Sequence, residues 1–150
     1  MKLTPKTPWH LWIVGVLALA WNSYGAWDYI QTKLENREYL SAISEPMGIE
    51  VDAVIAYYNS YPLWANITWG FGVWGSVLGS VLLLVRSRYA AHAFLVSLVS
   101  FVLSMVHQFT NPMEGVGDMT IAYIFSAVIF AIIFGLWYYA RRMTAKNVLK

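Results

Sequence analysis

The stretch LWANITWGFGVWGSVLGSVLLLVRSRYAAHAFLVSLVSFVLSMVHQF, residues 63–109, decides the fold. It contains two apolar runs, 63–85 and 89–109, separated by a turn that carries Arg86 and Arg88. Each run has the length that a hydrocarbon layer of about 30 Å demands of a helix, roughly 20 residues at a rise of 1.5 Å. Backbone groups inside lipid must be satisfied within their own segment, and neither run shows the two-residue alternation of an outer-membrane strand, so both are predicted as membrane-spanning helices. On either side, residues 9–29 and 119–139 meet the same length requirement. The expected fold is an all-α integral membrane protein, a single domain forming a four-transmembrane-helix bundle.

Composition agrees. Of 150 residues, 59% are hydrophobic and 12% charged, about half the charge of a typical soluble domain, roughly 25%. That is too little polar surface to cover a soluble globule. There is no Cys, hence no disulfide framework and no thiolate metal site or nucleophile.

Charge orients the four runs. Lys2 and Lys6 precede the first, Arg86 and Arg88 lie between the second and third, and Arg141, Arg142, Lys146 and Lys150 follow the fourth. Asp28, Glu35, Glu38, Glu45, Glu50, Asp52, Glu114 and Asp118 all fall on the other side, where the only bases are Lys33 and Arg37. Bases mark the cytoplasmic face, which places both termini inside. Two lysines, an apolar run and the small pair Gly25 and Ala26 also fit a cleaved secretory signal, but the bulk of Trp9, Trp12, Trp21 and Trp27 argues for a retained span.

Residues 30–61 form the one sizeable loop. Val51, Val54, Ile55 and Tyr58 recur at helical spacing, which predicts a short amphipathic helix between a start at Ser44 and Pro46 and a stop at Pro62. Residues 31–42 read as a polar extension of the first span.

Side chains already in lipid gain little by meeting one another, so spans are drawn together where small residues let backbones approach. Gly15, Ala18, Asn22 and Gly25 make such a seam on the first span, and Thr68, Gly72, Gly75 and Gly79 on the second. On the third it runs through Ala90, Ala93, Ser97, Ser100, Ser104 and His107. Ala127, Ala131 and Gly135 on the fourth step by four residues, which suits a separate, right-handed contact, and Gly75-x-x-x-Gly79 is the seam that a homo-oligomer would use.

No Asp, Glu, Lys or Arg lies at mid-membrane, which weakens proton-relay and ion-coupled mechanisms. Polar residues gather toward the outer side instead. Asn22, Asp28, Asn66, Thr68, His107 and Asp118 are the candidate binding set, with Trp21, Trp27, Trp64 and Trp69 as stacking surfaces. Interhelical hydrogen bonding accounts for several of these residues, and a metal or hydrolytic site of His107 with Asp28, Glu114 or Asp118 is a third reading. No spaced catalytic or metal signature is present. The sequence therefore assigns no catalytic residue, metal or cofactor, and no nucleic-acid partner; the partners expected are the bilayer and a second copy or larger membrane complex.

Several segments carry a resemblance. They are Thr4-Pro5-Lys6-Thr7-Pro8-Trp9-His10-Leu11-Trp12, Ala20-Trp21-Asn22-Ser23-Tyr24-Gly25-Ala26-Trp27-Asp28-Tyr29, Gly72-Val73-Trp74-Gly75-Ser76-Val77-Leu78-Gly79-Ser80, Met113-Glu114-Gly115-Val116-Gly117-Asp118 and Tyr139-Ala140-Arg141-Arg142-Met143. With these the chain resembles a family of small four-span proteobacterial inner-membrane proteins, largely uncharacterised and often automatically labelled "sugar transporter". The resemblance implies a bacterial inner-membrane setting and carries over no functional residue. The chain lacks the internal repeat and broken-helix pair of alternating-access transporters. The reading is of a non-enzymatic protein that binds or transports a small polar solute at its periplasmic side, with an accessory or scaffolding subunit as the alternative.

Overall fold

The structure, a computed structural model, describes residues 6–117 and 119–150, and every regular element among them is a helix. Helix α1 spans Trp9–Lys33, α2 Arg37–Ser44, α3 Val51–Asn59, α4 Leu63–Leu84, α5 Ala90–Thr110 and α6 Thr120–Ala145, with a 3-10 turn at Glu45–Met47 between α2 and α3. Three of them, α4, α5 and α6, are long and apolar enough to cross a membrane. Helix α1 is as long, at 25 residues, but its second half carries Asn22, Ser23, Asp28, Gln31 and Thr32.

Local chemistry sets the breaks. Pro8 and Pro62 precede α1 and α4 in extended conformation, where a missing N–H costs nothing at a helix start. Residues 31–42 do not continue α1 as one helix: Glu35 takes a left-handed φ of 50°, and the Asn36 side chain accepts from Tyr39 N at 3.2 Å to open α2 afresh. Ser44 and Pro46 do not start the amphipathic helix either. Ser44 ends α2 and Pro46 lies in the 3-10 turn, which Gly48 closes at φ 71°, a conformation that suits glycine, and α3 begins only at Val51.

The four long helices run antiparallel to their neighbours, α1 against α4, α4 against α5 and α5 against α6. Contacts of α6 with α1 close the circuit, through a 2.5 Å hydrogen bond between His10 Nδ1 and the Tyr139 hydroxyl and through Trp21 against Phe125. Small and polar residues face inward: Gly15, Ala18, Asn22, Ser76, Gly79, Ser80, Ser97, Ser100, Ser104 and His107 are buried. Large apolar residues face out, among them Leu17, Phe71 and Ile121, each more than half exposed. This inside-out arrangement is what a lipid surround favours, because apolar contact inside offers no advantage over apolar contact outside.

The seams differ in detail from those predicted. Helix α4 presents two faces. Gly72, Gly75 and Gly79 meet α5, where a Cβ on Gly75 would lie 3.3 Å from Ser97 Cβ and one on Gly79 2.7 Å from the Phe94 ring. Ser76 and Ser80, one residue along from Gly75 and Gly79, meet α1. On α1 a Cβ at Gly15 would strike Leu84, but Gly25 looks into open space, and the buried line continues through Ala26. Four-residue steps from Ala18 through Asn22 to Ala26 hold the seam toward α4, whereas a three-residue step to Gly25 rotates away. Ala127, Ala131 and Gly135 are all exposed, and the buried residues of α6 begin at Ile133.

The basic end is closed by a segment that periodicity does not reveal. Val148 and Leu149 pack into the cluster of Leu11, Leu83, Ala90 and Phe94. Lys150 N donates to Arg86 O at 2.8 Å, Arg88 N donates to Lys150 O at 2.9 Å, and the Arg86 guanidinium reaches Val148 O. Arg86 thus fastens the C-terminal residues over the α4–α5 turn.

One substitution at two glycines tests this packing. Gly79→Ala should lower unfolding stability by about 1–3 kcal/mol, since the buried Phe94 ring must shift, and Gly25→Ala should raise it by about 0.5–1 kcal/mol through helix propensity. Equal effects in mixed-micelle unfolding would contradict the assigned faces.

Candidate functional site

At the acidic end, α3 lies across the ends of α4 and α5. Tyr58 stacks on Trp69 at 5.0 Å between ring centroids and 19° between planes, and Tyr57 Oη donates to Asn111 O at 2.8 Å. Tyr61, in the turn after α3, sits edge-on to His107 at 4.6 Å. Trp64, in the first turn of α4, also meets the imidazole edge-on, at 5.3 Å. His107 is 6% exposed, with Asn111 Nδ2 at 3.4 Å from its Nδ1. Tyr61 is equally enclosed; its hydroxyl makes no hydrogen bond of ordinary geometry, though the Tyr57 and Gln108 side chains stand against it and interact with it. Tyr57, Tyr61 and Gln108 therefore form a polar cluster beside the His107 imidazole.

Three of the predicted site residues border this cap. His107 lies at its centre. Thr68, one turn into α4, donates to Ala65 O at 3.0 Å and accepts from Ser104 Oγ at 3.4 Å on the α4–α5 seam. Asn66 donates to Tyr61 O at 2.9 Å and accepts from Lys33 Nζ.

The others lie elsewhere. Asn22 is deeper in the bundle, where its Nδ2 donates to Ser80 Oγ at 2.9 Å and to Ser76 O at 3.3 Å, while Ser80 Oγ donates to Ser76 O. That is a lock between α1 and α4. Asp28 accepts from Tyr39 Oη at 2.8 Å and so ties the end of α1 to α2. Asp118 lies outside the described residues. Glu114 is exposed, and among the described residues no three of His, Asp and Glu converge as metal ligands do.

A second feature flanks the cap. Tyr29, Asn66, Ile67, Gly70, Phe71 and Trp74 line a groove of about 400 Å³ that opens sideways between α1 and α4. Lys33 stands at its rim, 5.1 Å from the Trp69 ring centroid and 5.9 Å from that of Tyr29. Neither Tyr61 nor Lys33 carries a sequence signal of function. The first reads as the end of a loop before Pro62 and the second as a lone base among acids.

No family model, curated protein or solved structure matches the chain.

The tyrosines of the cap resist ionisation. Tyr39, Tyr58 and Tyr61 are all raised above the usual phenol range, chiefly by burial. The Asp28 charge adds to the effect at Tyr39 and Tyr58, and neighbouring Tyr58 adds to it at Tyr61. A raised folded value means that these phenols stabilise the fold fully below the unfolded value of about 10 and lose that contribution as pH rises through the folded values. Spectrophotometric titration of the folded protein should therefore show a group of its ten tyrosines ionising late and together with loosening of the cap. Ionisation of all ten in the ordinary range would contradict the packing.

Proposed function

We propose that the chain is a non-enzymatic four-span protein of a bacterial inner membrane that binds a small polar solute beneath the α3 cap on its periplasmic side. The observation that carries this reading is the buried Tyr61 hydroxyl, loosely engaged by Tyr57 and Gln108, beside the buried His107 imidazole. Two hydrogen-bonding groups bounded by the rings of Trp64 and Trp69 are the kind of convergent polar pair, set among apolar walls, that small-molecule sites use. Asn66 and Thr68 border the same place, whereas Asn22 and Asp28 are engaged in helix contacts.

The charge pattern supports the orientation: seven bases, Lys6 among them, stand at one end of the bundle, and the acids stand at the other. The antiparallel fit of α1 to α4 and its length of 25 residues support its being the fourth span. Binding is favoured over conduction. Asn22, Ser97 and Ser104 spend their hydrogen bonds on neighbouring helices, Ser80 accepts from Asn22 while donating to Ser76 O of its own helix, and no Asp, Glu, Lys or Arg is buried among the described residues.

Tyr61→Phe separates the possibilities. Without solute, removing a hydroxyl whose hydrogen bonds are poorly made should change stability by no more than about 1 kcal/mol. A panel of monosaccharides, polyols and small amines should raise the melting temperature of the wild-type protein with at least one member, by linkage. Tyr61→Phe and His107→Leu should abolish that rise. A loss of more than about 2 kcal/mol in solute-free Tyr61→Phe would mean that the hydroxyl is already paired, and a rise that persists in both variants would refute the site.

A second reading, an accessory or self-associating subunit, is favoured by one observation. The small-residue line Ala127, Ala131 and Gly135 is exposed, and a Cβ at Gly135 would meet nothing. If that line seats another helix, Ala131→Leu should lower the oligomer or complex mass seen by native mass spectrometry while leaving helicity intact; an unchanged mass would remove it.

A further inference from the structure

The groove on the α1–α4 flank has a chemistry distinct from the cap, and its reading is independent of the solute site. Its floor is Ile67, Gly70, Phe71 and Trp74, and Gly70 leaves room there because a Cβ would lie 3.4 Å from the Tyr29 hydroxyl. From Asn66 to Trp74 it follows α4 for about 12 Å at the helical rise, along a helix apolar enough to cross a membrane. A soluble ligand would gain nothing from a floor that faces hydrocarbon, whereas an acyl chain fits it.

The rim supplies a charge. Only two described bases stand at the acidic end, and Arg37 is paired with Asp52 at 2.6 Å. Lys33 has no carboxylate partner among the described residues. Its ammonium is held instead by Asn66 Oδ1 and by the faces of Tyr29 and Trp69. One of its three donors is thereby used, and the rest are available. Interfacial rings sit at headgroup depth, so the cation is fixed where a lipid phosphate lies. The nearby acids are turned to other partners, Asp28 to Tyr39 and Glu35 to Asn59.

We propose that this groove is a binding site for one anionic glycerophospholipid of the leaflet at the acidic end, with its phosphate on Lys33 and an acyl chain along Ile67, Phe71 and Trp74. A positively charged rim above an apolar floor selects a lipid by headgroup charge and retains it by its tail. Lys33 is exposed, so replacing it should leave the bundle folded.

The test is native mass spectrometry of the full-length protein titrated in detergent with phosphatidylglycerol, phosphatidylcholine or inorganic phosphate. The expected result is retention of one phosphatidylglycerol in preference to phosphatidylcholine. Lys33→Gln should weaken phosphatidylglycerol retention about fivefold to tenfold, near the worth of one base at a membrane surface, while Lys33→Arg preserves it. Gly70→Leu, which fills the floor, should weaken retention of both lipids, with circular dichroism confirming that the helices remain. Equal retention of the two lipids by the wild-type protein, or no loss in Lys33→Gln, would overturn the site. Displacement of phosphatidylglycerol by inorganic phosphate alone would show an anion site without a lipid and would overturn the proposal as well.

Discussion

Helix α4 makes close contact along two faces at once, and the rest of the bundle depends on that. Toward α5 it offers bare backbone at Gly72, Gly75 and Gly79, into which Ser97 and Phe94 fit; the Ser97 hydroxyl donates to Gly72 O at 2.5 Å. Toward α1 it offers Ser76 and Ser80, which meet Asn22. Lipid supplies no hydrophobic drive between helices, so dispersion at short range and a few enclosed hydrogen bonds must do the holding. Large side chains on either face would separate the backbones and lose both.

The same economy shapes the ends. At the basic end the core becomes apolar, and Val148 and Leu149 seal it with the help of Arg86. At the acidic end aromatic rings take over, with α3 laid across the helix termini through Tyr58 on Trp69 and Tyr61 on His107. Rings suit this level because one edge can meet hydrocarbon while a hydroxyl or ring nitrogen meets water. Deeper in the bundle Asn22 and Ser97 bond across to neighbouring helices, whereas at the cap Tyr61 and His107 are buried among rings.

Much of this was legible in the residues. The apolar runs located α4, α5 and α6 to within a few residues at their starts, and the 3-and-4 spacing identified Ala90, Ser97, Ser100, Ser104 and His107 on the buried line of α5, though Phe94 rather than the predicted Ala93 is buried there. What failed, failed for physical reasons. Gly25 and Ala26 are both small, and only the rotation of α1 against α4 selects between them. The break at Glu35 depends on an Asn36 cap that competes with a helical pattern on both sides. Of the candidate site, His107, Thr68 and Asn66 lie together, but Tyr61 at the cap acquires meaning only from burial, and Lys33 at the separate groove only from the Tyr29 and Trp69 rings beside it. Asn22 and Asp28 are polar at the right depth yet are satisfied by Ser80 and Tyr39, which no one-dimensional pattern reveals.

Helix α1 is the element on which the account turns, because its outer half is polar and its crossing makes the difference between three spans and four. The absence of native cysteine permits a direct measurement. Single cysteines at Lys6, Ser87 and Asn147, and at Glu38 and Glu114, can be labelled with a membrane-impermeant thiol reagent in intact cells and in inverted vesicles. Four spans predict labelling of the first three in inverted vesicles alone and of the last two from outside. Labelling of the Lys6 position from outside, with Ser87 and Asn147 still inside, would show that α1 does not cross and would contradict the account.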